Sequence, residues 1–529
     1  MPKRPAKRRR QQPLPFANAT LTSAARNGPR DMKERDMWPE QVIADLDCKG
    51  LWENISRSLQ QGWVLTTDYS GIGTAEEAAR CLSIAAACKA HGEGRVQYAA
   101  RVLCQRAGDK EADCRQMLLE RNHALTHGPV CVHGDIGERC DRKRWENLHR
   151  SLQRLQASEV LRLDTDPANF AKDCFGQVMK QDLVGVAAHC FRHGKMCSVS
   201  RTRSGTDAAE SDKDALNLHV AGFNCFDWSL MGGRKGWFGL STPAFMQWLA
   251  ERMQFDEDDC ILCENTPAFD LKMLAELTAE KWHMQVISVS PTLFGLPVER
   301  KRIYILLLRK GKWRFQGLVA SASSQKQADD ETNFFLLQEQ FDSIFQRNIV
   351  MTAGSQFRAP ETCKQQHVEV LAEAQKLPPT TASGKHWSCY QAVSAAVRCK
   401  INEHKQALLE KSGETLEDMT ERERHQWTAD LCQHPQYMGP SCGNVPALLR
   451  RTNLWLFGQR RLALPSEHLE CQGWNLFGDP ACLYKSPITP EQLQNMKPAR
   501  VKSFAGNGMH LQVLASVLAF TFGIMEAEV

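Results

Sequence analysis

The 529-residue chain contains no run of about 18 apolar residues, so no segment is expected to cross a membrane as a helix. Its longest apolar stretch, VLASVLAFTFGIM at 513–525, is too short and reads as a buried helix. No secretory signal opens the sequence, and the 20 cysteines follow no regular spacing. Both features point to free thiols in a reducing compartment and against a disulfide framework. One CxxC occurs, Cys260 to Cys263, without a second pair at zinc spacing. It reads as part of a strand, and no metal site is expected. Strong net charge is also missing, since 66 Lys and Arg against 61 Asp and Glu leave +5. No internal repeat is apparent.

The charge that is present is uneven. The first ten residues, MPKRPAKRRR, hold six Lys or Arg, and no acid appears before Asp31. Such a cluster fits a nuclear-import signal or a nucleic-acid arm, with an organelle (plastid or mitochondrial) transit peptide or a solvated tail as alternatives. Residues 1–45 are expected to be a basic, disordered tail.

From Trp63 the text becomes regular. WVLTTDYSGIGTAEEAARCLSIAAACKAHG reads as strand, glycine turn and helix, because Ala, Leu and Ile recur at helical spacing after the turn. A second strand and helix follow, and VCVHGDI is a third strand. LHVAGF, DDCILCEN, MQVISVS and RIYILLLRK supply four more. The last is nearly continuous in apolar residues, as a strand covered on both faces must be. This alternation predicts an α/β fold with a doubly wound, mixed but mostly parallel sheet. The expected parts are a catalytic domain over 46–310 with an insertion at 138–215, a second lobe over 311–455, and a return to the first domain over 456–529.

In such sheets ligands bind beyond the carboxyl ends of the strands. Three strand ends carry suitable groups in order. Tyr69, Ser70, Gly71 and Gly73 form a glycine loop that lets a ligand approach the backbone. Asp109, 36 residues beyond Gly73, is placed to hold ribose hydroxyls, and Asp135 and Ile136 end the third strand. Further along, Cys225 follows a strand and a glycine, Glu264 follows ILC, and Arg300 and Arg302 precede the last strand. Singly, each has a bland reading as a buried thiol, a strand cap or a solvated face.

Together, the order of these motifs resembles the cytosine-C5 DNA methyltransferases. Tyr69-Ser70-Gly71-Ile72-Gly73 matches that family's Phe-x-Gly-x-Gly, and Gly134-Asp135-Ile136 its Gly-Asp-Ile. Gly222-Phe223-Asn224-Cys225 lies where the family has Gly-x-Pro-Cys. Glu264-Asn265-Thr266 matches Glu-Asn-Val, and Arg300-Lys301-Arg302 matches Arg-x-Arg. Gly506-Asn507, followed by Met509, resembles its last motif. The resemblance covers roughly 63–310 and 456–525 and implies a Rossmann-like, S-adenosylmethionine-dependent methyltransferase fold. It implies Cys225 as nucleophile, with Glu264, Arg300 and Arg302 around the base. Tyr69, Ser70, Gly71, Gly73, Asp109, Asp135, Ile136, Asn224, Asn507 and Met509 are the implied cofactor contacts. The implied activity is methyl transfer to cytosine C5 in DNA, with RNA, or binding without catalysis, as alternatives. Segment 311–455 would read the nucleic acid. The chain departs from the pattern at Asn224 for proline, Phe226 and Val298 for glutamine, and at the second motif, where Ala107-Gly108 replaces an acid-hydrophobe pair.

Overall fold

The structure is a computed structural model that describes residues 26–92, 97, 99, 101–121, 128–200, 214–229, 232–318 and 331–528. The basic cluster at 1–10 lies outside the described residues. Nine strands form the central sheet: β1 (Trp63–Asp68), β2 (Val102–Gly108), β3 (Cys131–His133), β4 (Ala187–Cys190), β5 (Lys195–Ser198), β6 (Leu216–Gly222), β7 (Cys260–Asn265), β8 (Trp282–Val289) and β9 (Arg302–Arg309). Their order across the sheet is β5-β4-β3-β2-β1-β6-β7-β9-β8. The five strands from β3 to β7 are mutually parallel, whereas β9 runs antiparallel to both of its neighbours. This is the doubly wound, mostly parallel α/β sheet that the alternation predicts.

Helices cover both faces, so central strands must be apolar on both sides. In β7, Cys260 and Leu262 pack into one core with helices Trp38–Asp47, Thr74–His91 and Leu511–Ile524. Ile261 and Cys263 pack into the other, with helices Pro167–Met179 and Thr242–Gln254. The CxxC therefore splits across the sheet, as three residues along a pleated strand must. The apolar C-terminal segment is a buried core helix, as read.

Three boundaries differ from expectation. Within 1–45, residues 32–36 and 38–47 are helical, and Trp38, Val42, Ile43 and Leu46 are core. Asp31 caps the first of these helices through the Glu34 amide at 2.9 Å. The insertion at 138–215 forms helices and also the β4–β5 hairpin, which extends the main sheet. The second lobe begins later than 311. Trp313–Phe315 pairs with Met525–Ala527, and helix Gln338–Phe345 joins the main core. The lobe's own sheet comprises Ser441–Cys442, Trp427–Asp430, Leu454–Leu456 and Arg461–Leu462 in that order, so it also runs past 455.

Candidate active site

The turn after β6 holds Cys225. Asn224 stands where a proline would stiffen it, and its Oδ1 instead accepts a hydrogen bond from the Phe226 amide at 3.1 Å. This is an Asx-type turn, which fixes the backbone by side-chain capping. The Cys225 carbonyl accepts from the Trp228 and Ser229 amides, and the Asp227 carboxylate accepts from Ser241 N and Oγ at 3.0 and 2.6 Å. Below the turn, Trp228, Trp237, Phe245 and Phe269 pack edge to face. The thiol is half-buried, while Phe226 is 51% exposed beside it.

The adjacent strand ends bring two charges to this thiol. Gly222 of β6 is in register with Glu264 of β7, and Glu264 with Tyr304 of β9. Buried Glu264 meets Arg302 in an ion pair at 2.8 Å. Burial and the Glu264 carboxylate push the Cys225 thiol up, while Arg302 and Arg300 pull it down less strongly. Arg300 does not pair with Glu264. It reaches the other way, donating to the Gly508 carbonyl at 2.5 Å and the Gly506 carbonyl at 3.4 Å. Burial, then Arg302, push it down to about 10. Arg300 thus ties the C-terminal loop to this edge of the sheet.

The glycine loop sits at the end of β1. Gly71 has φ +57°, and a Cβ there would project into open space. Tyr69, also left-handed at φ 54°, sets its ring edge-on to Phe223 at 5.9 Å. Gly73 is left-handed too, at φ +86°, and in addition its Cβ would fall 2.0 Å from the guanidinium of buried Arg121. Ser70 is spent on the frame. Its Oγ donates to the Gly108 carbonyl and accepts from the Gly108 amide, both at 3.0 Å. Asp109 is likewise engaged, accepting from the Gly71 and Glu111 amides at 2.9 Å each. Burial raises its carboxyl above the usual range. Asp135 caps the short turn after β3 through the Gly137 amide, and Ile136 is buried. Met509 packs against Gly222 and is buried, whereas Asn507 is exposed at the end of helix Pro498–Asn507. Between the two halves, Tyr69, Phe223, Asn224, Asn265 and Phe269 line a small aromatic pocket. The fully buried Asn265 presents an Nδ2 without a hydrogen-bond partner there.

Sequence reasoning missed what lies beneath the loop. Asp68 is fully buried and accepts from Arg106 at 2.9 Å and Arg139 at 2.7 Å. Arg139 also donates to Glu251, and Arg252 to Asp258. His219 accepts from Trp248 at 2.9 Å and sits 2.8 Å from Thr66 Oγ1. No sequence motif marks this network, because its members come from five separate segments.

No protein-family model matches the sequence, and no curated protein matches it. Solved structures similar to the chain include the Dnmt2 methyltransferase of S. pombe, at 12% identity and TM-score 0.38, covering 86% of this chain and 97% of that one. The methyltransferase EhMeth of Entamoeba histolytica gives 10% identity and TM-score 0.39 over 87% and 98% of the two chains. A mutant DNMT2 of Spodoptera frugiperda gives 12% and 0.35 over 86% and 98%. These scores are too low to carry the fold, which rests on the strand order and register above.

Proposed function

We propose that this chain is a divergent cytosine-C5 methyltransferase that acts on DNA through a covalent Cys225 adduct. The observation that carries this reading is the meeting of Cys225, Glu264 and Arg302 at one edge of the sheet, where the carboxyl ends of β6 and β7 lie beside the amino end of antiparallel β9. That edge is where an α/β sheet binds ligands.

The loop fits S-adenosylmethionine in its open Gly71 and in the aromatic pocket lined by Asn265, whose Nδ2 has no hydrogen-bond partner. Tyr69 and Asn224 line that pocket, Asp135, Ile136 and Met509 would border the cofactor, and Asp109 would reach it by releasing one of its two amide contacts. When bound, the cofactor supplies an electrophilic methyl group. The protein's part is to make C5 of cytosine nucleophilic. Cys225 gives its proton to solvent and bonds to C6, moving the ring's electron pair toward C5. Glu264 holds the N3/N4 edge, where charge changes as the bond forms. Arg302 holds Glu264 and offers its cation to the thiolate. Loss of the C5 proton to solvent and departure of the Cys225 sulfur restore the ring. A base in a duplex must first leave the stack, at a cost of a few kcal/mol. The second lobe, with its Lys and Arg, would grip phosphates. The cluster at 1–10 suits import into the nucleus, where DNA is.

Binding without catalysis is the second reading, favoured by the raised Cys225 thiol and the engaged Asp109 and Ser70. Transfer from labelled S-adenosylmethionine separates the two. Wild type should methylate a DNA duplex and be trapped by 5-fluorocytosine, and Cys225→Ser should do neither. Transfer to RNA alone would replace the substrate, and folded protein inert on both would sink the catalytic reading.

A further inference from the structure

Three strands across the sheet from β6, four side chains converge where the insertion meets the sheet. Cys131 opens β3, and Cys190 ends β4. Cys190 stands opposite His133 in antiparallel register, so Cys131 and Cys190 share one face of the sheet. Beyond Cys190 the chain turns through Gly194, left-handed at φ +64°, whose amide donates to the Cys190 carbonyl at 2.8 Å. The turn folds His193 back and β5 brings Cys197. His193 Nδ1 then lies 3.6 Å from the Cys131 sulfur, 3.4 Å from Cys190 and 3.3 Å from Cys197. The four ligand atoms all lie within 4.8 Å of one another.

We propose that Cys131, Cys190, His193 and Cys197 bind one structural zinc ion. Tetrahedral zinc with Zn–S near 2.3 Å and Zn–N near 2.0–2.1 Å requires S···N separations of about 3.5–3.6 Å. The three observed separations lie within about 0.3 Å of that figure. Four protein ligands close the coordination shell, which makes the site structural and leaves no position for substrate. Three thiolates and an imidazole select zinc over the hard cations. The surroundings hold the turn in place. Phe191 N donates to the Val132 carbonyl at 2.8 Å, and Arg192 donates to the Leu119 carbonyl at 3.3 Å. The Arg115 guanidinium covers the Phe191 ring at 4.2 Å. The ion would staple the inserted hairpin to β3, the strand that leads directly into Asp135 and Ile136. Its ligands follow the spacing Cys-x2-His-x3-Cys, with Cys131 supplied from much earlier in the chain.

The test is the metal content of the full chain, purified without chelator. Mass spectrometry of the metals should find about one zinc per chain, released by a mercurial thiol reagent. Cobalt(II) added to the stripped protein should give the intense visible bands of tetrahedral thiolate coordination. Cys190→Ser with Cys197→Ser should lose both signals, His193→Cys should keep them, and Cys260→Ser should leave them unchanged. Amide exchange at Phe191 and Gly194 should quicken at least about tenfold on stripping, since the hairpin then opens locally. Wild type that holds no zinc after dialysis against the metal, with these thiols free or joined in a disulfide, would overturn the proposal. So would stoichiometric zinc in the doubly substituted chain, and wild-type metal content can be read whether or not that variant folds.

Discussion

At the residue scale, the proposed chemistry turns on one carboxylate acting on one thiol. Glu264 is a neighbouring negative charge that raises the Cys225 thiol, and Arg302 opposes it. Glu264→Gln removes the like charge and leaves Arg302 unpaired, so the thiol titrates at lower pH. Alkylation of Cys225 by iodoacetamide near neutral pH should therefore speed up in this variant while methyl transfer falls, by about 10²-fold or more. Equal or slower alkylation would show that the carboxylate does not govern the thiol. Asp109 has a frame role as well. Asp109→Ala strands the Gly71 and Glu111 amides and should cost about 1–3 kcal/mol in urea unfolding, besides weakening cofactor binding. The sequence makes Cys225, Glu264 and Arg302 readable as a group, because each follows or begins an apolar strand. It does not reveal that Ser70 is spent on Gly108 or that Arg300 faces the C-terminal loop. Those depend on which backbone groups the fold leaves unpaired, and spacing carries no record of that.

At the scale of elements, the strands were legible and their supports were not. Apolar runs such as RIYILLLRK announce a doubly covered strand whatever surrounds them. The zinc ligands escape a search for CxxC pairs because one comes from β3 and three from a hairpin more than fifty residues later. The charged layer beneath β1 is equally silent in sequence. Asp68→Asn would leave Arg106 a buried, uncompensated cation and Arg139 with Glu251 alone, and the expected loss is about 3–5 kcal/mol by denaturant titration. Gly506 reports on packing between lobes. A Cβ there would fall 2.4 Å from the Arg450 amide, against backbone that cannot yield cheaply. Gly506→Ala should loosen the second lobe and raise KM for nucleic acid, with cofactor affinity unchanged by calorimetry.

At the scale of the whole molecule, the boundaries of the lobes were the least legible part. Composition changes at 311, yet the helix at 338–345 belongs to the main core because its Phe341, Ile344 and Phe345 pack there. Buried and half-buried neutral histidines add a global property. Burial, then neighbouring cations, push His468 and His510 down to about 3, and burial, then Arg461, pushes His367 down to about 4. Their folded values lie below the unfolded 6.5. The unfolded chain thus binds more protons as pH falls. Stability from these groups is complete above about pH 6.5 and is lost on acidification toward pH 3, by roughly 1.4 kcal/mol per pH unit for each fully titrating group. Urea midpoints should drop steeply between pH 6.5 and 5, and a flat profile there would refute the assignment.

The helix Leu511–Ile524 packs against Trp38–Asp47, Trp52–Gln61 and Thr74–His91. On the ribosome, those partners emerge long before it. At ~5–20 residues per second, the first strand waits roughly 20–90 seconds for the helix that covers it. Through that interval an apolar face lies bare, and so nascent chains of this protein are natural clients for chaperones that shelter exposed sheet.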